Sequence, residues 1–342
     1  MRVRIRGGGW YGCWISLHLS RLGHDVELHE IAPQLFSGAS GGNPARLHIG
    51  PHYPRSARTR RACQEHNAAF MRQLGFLTRV VPVNVYAIAQ GASLVDFGTY
   101  VHTLADEIDL IRVYDPADFG LRNVEGAILC GERHIVIDAA REYFTRELGD
   151  RVRLNTSGMG DEDAYDVTID CTFCSNDPQG IQRFEPCVTV LLEGPTDRAT
   201  TIMDGPFGSV YPWREDAGLS SLTSAKYTPF SKECGSWLEA KRILDGVSTA
   251  DVHARAGLMM DQMEFFWPAV RDLYTVAGHR LSIRAMPASA ADERLVDVSW
   301  TSEKVMRVRA GKIDAIFDAA RQVELLLERT RGWPVGTVRE IA

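Results

Sequence analysis

The sequence predicts an α/β fold in two discontinuous domains, one with a parallel nucleotide-binding sheet and one of α+β type with an antiparallel sheet. Three observations predict this fold. The first thirty residues form a complete β-α-β unit, and segments 135–172 and 300–330 have the same character. Residues 187–228 instead form short β-branched runs separated by turn signals. A chain of 342 residues is long enough for two such domains.

The β-α-β unit at the start of the chain is the strongest local signal. Residues 2–6 alternate charged and β-branched side chains, as a short first strand does, and a glycine-rich turn follows. Apolar residues at helical spacing over 13–22 then predict a helix, which Gly23 ends as a C-terminal glycine. Residues 25–30 predict the second strand.

The rest of the chain alternates between the two kinds of pattern. Helices are predicted over residues 57–75, 97–108, 135–148, 236–244, 252–266 and from Gly311 to about 331. Strands are predicted over residues 78–89, 152–154, 166–172 and 279–286. No linker marks a boundary, so we expect a nucleotide-binding domain of residues 1–80, 125–180 and 280–342 and a substrate domain of residues 81–124 and 181–279.

The glycine-rich turn matches the GxGxxG fingerprint of a Rossmann-type dinucleotide site, with Gly8, Trp10 and Tyr11 at the intervening positions. Gly7 permits the tight turn, Gly9 lets the backbone approach the pyrophosphate, and Gly12 allows the helix to pack closely on the strand. Glu30 ends the second strand 18 residues after Gly12, where it can accept hydrogen bonds from both ribose hydroxyls. The alternative is a glycine turn without a ligand. The motif does not separate NAD from FAD.

Six blocks of the sequence resemble, in order, the D-amino-acid-oxidase-like (glycine-oxidase-like) superfamily of FAD-dependent oxidoreductases. They span almost the whole chain, and they are RIRGGGWYGCWISLHLSRLGHDVELHE, SGASGGNPARLHIGPHYPRS, YDVTIDCT, MDGPFGSVYPW, HRLSIRAMPAS and VMRVRAGKIDAIFDAA. The resemblance implies that FAD is the cofactor and that the parallel-sheet domain binds it. A reduced flavin is anionic, and a helix N-terminus favours negative charge. The GKID segment, which precedes the last helix, is therefore a suitable place for the flavin.

The resemblance also implies cofactor-binding roles for particular residues. Those implied to hold the ADP half are Gly7, Gly9, Gly12 and Glu30, within the turn that also contains Gly8, Trp10 and Tyr11. Those implied to line the pyrophosphate and the flavin edge are Ser40, Gly42, Asn43, Arg46 and Leu47. Those implied to cap the flavin pyrimidine are Gly311, Lys312 and Ile313. The alternative for Lys312 is a solvated charge that precedes a helix.

Residues 46–54 concentrate two histidines, an arginine and a tyrosine, and resemble the histidine loop of 2-hydroxyacid dehydrogenases in this superfamily. His48 or His52 can act there as a base, as a donor to a substrate carboxylate or as a covalent flavin tether; a cysteine is the other candidate tether. The alternative is a hydrogen-bonded structural histidine. No third ligand has suitable spacing, so no metal is expected.

The substrate pocket is expected around Arg284, which relatives place over the flavin, where an arginine can bind a carboxylate with two hydrogen bonds. Tyr211 and Arg214 are expected to complete the pocket wall, although a strand arginine and an aromatic turn explain these residues equally. Members of the family have a glycine after an arginine–proline pair in this segment, whereas the segment here reads RAMPASAADERLVD. Substrate specificity is therefore the property that the resemblance implies least. Four arginines lie at positions 55, 58, 60 and 61; they are expected to form a solvated face, with guidance of anionic substrates as the alternative.

Composition and charge exclude two classes of function. The chain has 38 basic and 44 acidic residues, a formal net charge of −6, which argues against nucleic-acid and polybasic membrane-surface binding. The start MRVRIRGGG lacks the apolar stretch of a signal peptide, so a cytoplasmic location is expected. Seven unpatterned cysteines fit a reducing compartment. Cys171 and Cys174 are expected to be buried thiols, with a redox dithiol as the alternative.

These observations predict an FAD-dependent oxidase or dehydrogenase that moves a hydride from a small amine, amino acid or 2-hydroxy acid to flavin N5. The small-molecule substrate is expected to be anionic or amine-bearing. The alternatives are a flavin-dependent monooxygenase of biosynthetic metabolism, an NAD-binding dehydrogenase and a ligand-binding protein with a vestigial site. An aromatic-hydroxylase type is disfavoured because no GDA motif is present near the C-terminus. The oligomeric state is not predicted.

Overall fold

Two compact units make up the chain in the computed structural model, which describes residues 1–105, 111–173, 182–287, 296–309 and 311–331. Unit 1 comprises Met1–Leu35, Phe144–Phe173 and Leu295–Ala342, and unit 2 comprises Phe36–Tyr143 and Cys174–Arg294. Both units are discontinuous in sequence, as the interleaved α/β fold class predicted. The assignment of residues 1–80, 125–180 and 280–342 to a cofactor-binding domain stays a prediction.

Unit 1 contains a six-stranded sheet in the order β16-β17-β10-β1-β2-β9, in which only β16 and β17 pair antiparallel. Numbered along the whole chain, its strands are β1 (Arg2–Arg6), β2 (Asp25–His29), β9 (Val152–Arg153), β10 (Val167–Asp170), β16 (Asp297–Trp300) and β17 (Val305–Arg309). Its helices α1 (Trp10–Arg21) and α9 (Ile316–Arg331) follow β1 and β17. The predicted Rossmann-type core is confirmed.

Side chains alternate along β1 between the two faces of the sheet. Both faces are buried, because β1 is an inner strand of a mostly parallel sheet. Val3 and Ile5 are fully buried on one face. The arginines of the other face are buried too: Arg4 Nε donates to Thr168 Oγ1 at 3.2 Å, and Arg6 Nε donates to the carbonyl oxygen of Gly158 at 2.9 Å. Hydrogen bonds within unit 1 therefore compensate the burial of these two charges.

Unit 2 contains an eight-stranded sheet in the order β15-β11-β14-β13-β12-β5-β7-β6. Only β5 and β12 pair parallel, so the predicted antiparallel platform is confirmed. The strands are β5 (Val83–Ala89), β6 (Ile111–Tyr114), β7 (Val124–Cys130), β11 (Gln182–Glu193), β12 (Arg198–Met203), β13 (Gly208–Arg214), β14 (Leu219–Ser224) and β15 (Thr275–Pro287).

The two faces of this sheet differ in chemistry. One face is apolar and packs on helix α7 (Thr249–Phe266), whose methionines 259, 260 and 263 meet Val85, Ala87 and Ala89 of β5 in one core cluster. Side chains alternate along a strand, so Tyr86 lies on the opposite face. Register places Tyr86 beside Thr201, and Thr201 beside Ser209. Hydroxyl groups of three neighbouring strands therefore lie side by side on this face, which is called the polar face of the sheet below.

A small antiparallel sheet, β3-β8-β4, supports the histidine loop. It consists of β3 (Arg46–Leu47), β4 (Thr78–Val80) and β8 (Arg133–Ile135). The other helices are α2 (Ala39–Gly42), α3 (Ala57–Leu74), α4 (Phe97–Ala105), α5 (Ile137–Leu148), α6 (Trp237–Asp245) and α8 (Val270–Leu273). Within the described ranges, no helix is both long enough and apolar enough to cross a bilayer.

Candidate active site

The glycine turn between β1 and α1 accepts only glycine at two of its positions. Gly7 has a φ of +98°, and a Cβ there would lie 2.7 Å from the carbonyl oxygen of Cys171. A Cβ on Gly12 would lie 1.9 Å from the carbonyl oxygen of Gly7. The tight turn and the close approach of helix to strand therefore both require the absence of a side chain.

The N-terminus of α1 offers its backbone N–H groups to an anion. Gly9 is the N-cap, the first turn holds no acidic residue, and no described side chain caps the helix. The first N–H groups of a helix have no partner within it, and the helix dipole favours negative charge there. This geometry fits the pyrophosphate of a dinucleotide. Trp10 is turned inward, where its ring packs edge to face on Phe144 at 6.0 Å.

Glu30 lies beside this turn, just after β2. Its Oε2 accepts a hydrogen bond from Gly8 N at 2.6 Å, and its Oε1 accepts one from Ala32 N at 2.8 Å. Each carboxylate oxygen has a second lone pair, so the group can still accept the two hydroxyls of a ribose. The backbone thus fixes Glu30 in an orientation that suits its predicted role.

Tyr11 joins the turn to the segment that precedes α9. Its hydroxyl donates to the carbonyl oxygen of Lys312 at 2.6 Å and accepts from Gly311 N at 3.0 Å. Burial raises the pKa of Tyr11, so the phenol stays protonated and keeps both bonds. Ile313 begins a short 3₁₀ turn at this point. The predicted flavin cap at residues 311–313 therefore lies against the predicted pyrophosphate turn within unit 1.

In unit 2, residues 39–43 form the short helix α2 and its end. Ser40 and Gly42 lie within the helix, and Asn43 terminates it: Asn43 Nδ2 donates to the carbonyl oxygen of Ala39 at 3.0 Å. A Cβ on Gly42 would lie 3.0 Å from the Cβ of Ser282. Gly42 thus lets α2 approach β15 closely. The cofactor contacts of Ser40, Gly42 and Asn43 stay predictions.

Arg46 crosses the polar face of the sheet. Its Nη1 donates to Thr201 Oγ1 at 2.9 Å, its Nη2 bonds Ser209 Oγ, and the guanidinium lies 4.2 Å from the centre of the Tyr211 ring. Tyr211 is fully buried beneath it, and Leu47 is fully buried in β3. The cofactor role of Arg46 and Leu47 and the pocket role of Tyr211 stay predictions. Because the side chain of Leu47 is apolar and buried, only its backbone groups can form a hydrogen bond with a ligand.

His48 forms a pair with a buried carboxylate. Its Nδ1 lies 3.2 Å from Glu132 Oε1, and its side chain keeps 15% of its surface exposed. Tyr86 donates to the other oxygen, Oε2, at 2.5 Å, and Ile49 N donates to Oε1 at 3.0 Å. No other described residue bonds the His48 ring, so Nε2 remains available. A histidine held through Nδ1 presents Nε2 in a fixed direction.

The charge of Glu132 is stabilised despite its complete burial. Burial alone would raise the pKa of Glu132, but the electrostatic interaction with His48 and the hydrogen bonds from His48, Tyr86 and Ile49 N outweigh burial, so the pKa of Glu132 is lowered. Burial and the charge of Glu132 raise the pKa of Tyr86, which keeps this phenol a donor. Glu132 therefore faces His48 as an anion able to stabilise a protonated imidazole.

Arg284 on β15 is engaged by a second buried carboxylate. Its Nε donates to Glu185 Oε2 at 2.9 Å, and its Nη2 bonds the same oxygen. Glu185 lies opposite Arg284 in the register of β11 and β15. Whether Arg284 binds a substrate carboxylate or contacts the cofactor stays a prediction, but one edge of its guanidinium is already in use.

Two other arginines differ in their surroundings. Arg214, predicted to line the pocket, is half-exposed and pairs with the exposed carboxylates Asp138 and Asp216, each at 3.0 Å. The expectation that Arg60 belongs to a solvated face is wrong. Arg60 is buried, and its Nη1 donates to the carbonyl oxygens of Tyr53 at 3.0 Å and Pro54 at 2.7 Å. Arg60 thus fixes the end of the histidine loop.

Comparison with curated proteins assigns the family. The chain is 33% identical to the FAD-dependent monooxygenase FPY4 of Fusarium mangiferae over 338 residues, which cover 95% of this chain and 90% of FPY4. The chain belongs to the FAD-dependent oxidoreductase family that includes FPY4. It is also 28% identical to the FAD-dependent monooxygenase kojA of Aspergillus flavus, over 99% of this chain and 89% of kojA. A search against protein-family models matches none.

Solved structures with the same fold support the superfamily predicted from the sequence blocks. The glycine oxidase of Geobacillus kaustophilus aligns with a TM-score of 0.68 at 13% identity, covering 100% of this chain and 99% of that one. A fructosyl peptide oxidase aligns with a TM-score of 0.70 at 11% identity, covering 96% and 90%. The predicted fold, that of the D-amino-acid-oxidase-like superfamily, is confirmed by these structures. The FAD-dependent oxidoreductase class is confirmed by the relationship to FPY4, which excludes the NAD-dependent alternative.

For this member of the FPY4 family, sequence reasoning missed Glu132 and Glu185. Glu132 is 84 residues from His48, and Glu185 is 99 residues from Arg284. One local signal exists, because each glutamate stands in or beside an apolar strand segment, AILCGERHIVI or RFEPCVTV. A charge in such a segment indicates a buried partner but does not identify it. Cys174 of the predicted thiol pair lies outside the described residues, and Cys171 is partly buried.

Proposed function

We propose that the chain oxidises a hydroxyl-bearing carbon of a small substrate, with His48 as the base that takes the hydroxyl proton. The pairing of His48 with the buried carboxylate of Glu132 carries this proposal. Bound FAD supplies the acceptor for a hydride. In the reaction the C–H and O–H bonds break and C=O forms; the hydride with its electron pair goes to FAD, and the proton goes to His48 Nε2.

The need for a base separates hydroxyl from amine substrates. A neutral amine has a lone pair that stabilises the cation left by hydride loss, so no proton has to leave first. A hydroxyl oxygen holds its lone pairs more tightly, and its proton must depart with the hydride. General bases of this kind contribute about 10²–10⁴-fold to rates. A histidine with an anionic partner on Nδ1 supports a hydroxyl substrate over the amines and amino acids also predicted.

The roles within the pair follow from its hydrogen bonds. Glu132 accepts the Nδ1 proton of His48 and so leaves Nε2 as the site that accepts the substrate proton. When Nε2 is protonated, the carboxylate at 3.2 Å stabilises the imidazolium. Tyr86 and the backbone N–H of Ile49 keep the carboxylate in place. Glu132 is therefore a positioning residue, and His48 is the proposed catalytic residue.

The proposed cofactor roles follow the geometry of each unit. In unit 1, the N-terminus of α1 and Gly7–Gly12 receive the pyrophosphate, Glu30 the ribose, and residues 311–313 the pyrimidine edge. The absence of side chains at Gly7 and Gly12 and the uncapped helix support these roles. In unit 2, residues 40–47 are proposed to contact the cofactor.

A monooxygenase reaction is the second candidate, favoured because FPY4 and kojA are named FAD-dependent monooxygenases. The two candidates differ in the fate of dioxygen. A monooxygenase transfers one oxygen atom to the product, whereas an oxidase returns both atoms as hydrogen peroxide. Turnover under ¹⁸O₂ therefore separates them: label in the product supports the monooxygenase, and labelled peroxide with unlabelled product supports the oxidase.

The test of the proposal is anaerobic bleaching of the purified holoenzyme. We would first precipitate the protein and identify the released flavin; yellow colour in the pellet would show a covalent link. Diols, sugars, hydroxy acids and amines are then mixed with the enzyme. We expect a hydroxyl compound to bleach the flavin and His48→Gln to slow bleaching about 10²-fold or more with FAD retained. The control His102→Gln removes an exposed histidine of α4. Bleaching by amines alone, or unchanged rates in His48→Gln, would overturn the proposal.

A further inference from the structure

The ion pair between Arg284 and Glu185 bears on the charge of the substrate. Both contacts of Arg284 with Glu185 use its Nε–Nη2 edge and end on the same oxygen, Oε2. That edge is one of the two sides of a guanidinium that can hold a carboxylate with two hydrogen bonds. In this chain, a carboxylate of the protein itself occupies it.

Burial places the anion beneath the cation. Glu185 is 2% exposed, whereas the side chain of Arg284 keeps 38% of its surface exposed. A ligand that approaches this face therefore contacts Arg284 before Glu185, and the charge of Arg284 is already balanced by the buried carboxylate. Burial would lower the pKa of Arg284, but its interactions with Cys187 and Glu185 outweigh burial and raise that pKa. Arg284 is therefore a cation, and with the carboxylate of Glu185 it forms an ion pair of zero formal net charge.

Neighbouring segments of unit 2 carry this pair and the proposed base. The Tyr53 ring lies 5.6 Å from the His48 ring, centre to centre, in the loop that follows α2 and β3. Alternation along β15 puts Arg284 on the same face as Ser282, whose Cβ would be 3.0 Å from a Cβ on Gly42 of α2. Arg284 therefore lies on the face of β15 that α2 approaches, and α2 leads through β3 into the loop that carries His48 and Tyr53.

We propose that Glu185 selects an uncharged, hydroxyl-bearing substrate by neutralising Arg284 from the buried side. This proposal rests on the proposed function and narrows its hydroxyl-bearing substrates to uncharged ones, such as diols and sugars, with hydroxy acids left out. A carboxylate that binds Arg284 must give up its hydration and approach a second carboxylate, whereas a hydroxyl can accept from the guanidinium at little cost.

Equilibrium binding without turnover tests this proposal. The FAD-loaded enzyme is first reduced with dithionite under anaerobic conditions, so that its flavin cannot accept a hydride. It is then titrated with lactate and with propane-1,2-diol, which share a carbon skeleton, and dissociation constants are read by saturation-transfer NMR. We expect the wild type to bind the diol at least as tightly as the acid. Glu185→Gln keeps the size of the side chain and removes its charge, so it should tighten lactate binding about tenfold and leave the diol unchanged.

A matched control and distinct outcomes keep the two proposals separate. Glu193→Gln removes an exposed carboxylate from the same strand and should change neither constant. Wild-type preference for lactate, or no gain for lactate in Glu185→Gln, would overturn the selection of uncharged substrates. Bleaching that still depends on His48 would then leave the proposed function standing with a hydroxy acid as substrate. The binding constants require no reaction with the flavin, so they also remain informative if no hydroxyl compound bleaches the oxidised enzyme.

Discussion

The indole of Trp14 meets the ring of Phe317 edge to face, with ring centres 4.7 Å apart. Through this contact α1 and α9, which come from opposite ends of the sequence, pack on each other within unit 1. An edge-to-face pair adds about 0.5–1.5 kcal/mol to the burial of its surface. The glycine turn before α1 and the 311–313 segment before α9 are therefore carried by helices that contact each other.

Replacing Tyr11 by phenylalanine tests the link between these two segments. Tyr11→Phe keeps the ring but removes the hydrogen bonds with Gly311 N and the Lys312 carbonyl. We expect the free energy of unfolding to fall by about 1–2 kcal/mol, because two backbone groups lose a partner. Urea denaturation of the holoenzyme measures this change, and released flavin measures FAD retention. Tyr114→Phe, at a phenol without a hydrogen bond among the described residues, should change stability by less than about 0.5 kcal/mol. Equal losses in both variants would contradict the link.

Gly12 and Gly257 provide a matched pair of glycine-to-alanine changes. In Gly12→Ala the new Cβ would lie 1.9 Å from the Gly7 carbonyl oxygen, so the turn has to open. We expect loss of bound FAD and destabilisation of about 3 kcal/mol or more. Gly257 lies in α7 with open space around it, so Gly257→Ala should stabilise the protein by about 0.5–1 kcal/mol. Thermal melts and flavin absorbance check both; retention of FAD by Gly12→Ala would refute the steric requirement.

The pKa of Glu132 predicts how stability depends on pH. The folded pKa is lowered below the ordinary value of 4.5, so the ionised carboxylate stabilises the fold at pH values above 4.5. This contribution is lost as the pH falls from 4.5 through the lowered folded pKa. Glu132→Gln should therefore have a smaller fall in unfolding free energy over that acid range than the wild type. Urea denaturation at a series of pH values measures the slopes, with Glu193→Gln as the control. Parallel slopes for wild type and Glu132→Gln would count against an ionised Glu132.

Arg60 tests whether the histidine loop depends on a buried cation. Arg60→Met removes the bonds to the carbonyl oxygens of Tyr53 and Pro54. Because hydrogen bonds to charged groups contribute about 1.5–3 kcal/mol, we expect a loss of about that size. Arg61→Met makes the same change at an exposed neighbour and should cost little. Denaturation midpoints compare the two, and similar midpoints would show that the loop does not depend on Arg60.

Local signals made unit 1 predictable, whereas the pairings of unit 2 depend on distant partners. The strand, turn, helix and strand predicted over residues 2–29 depend on residues that are close in sequence, and the structure contains all four. The helix starts at Trp10, before the predicted residue 13, because the glycine turn leads directly into it. Ile135 was predicted to begin a helix but ends β8, which pairs with β3 and β4. Such long-range pairing overrides local helical periodicity.

The three-part assembly of unit 1 has a consequence for synthesis on the ribosome. Strand β1 pairs with β10, which pairs with β17 near the end of the described chain. The nascent chain therefore makes the glycine turn first but cannot complete its sheet until β17 (Val305–Arg309) has emerged. Non-local pairing of this kind slows folding and leaves strand edges open in the meantime. We expect the growing chain to need protection from aggregation and to take up FAD only after β17 has emerged.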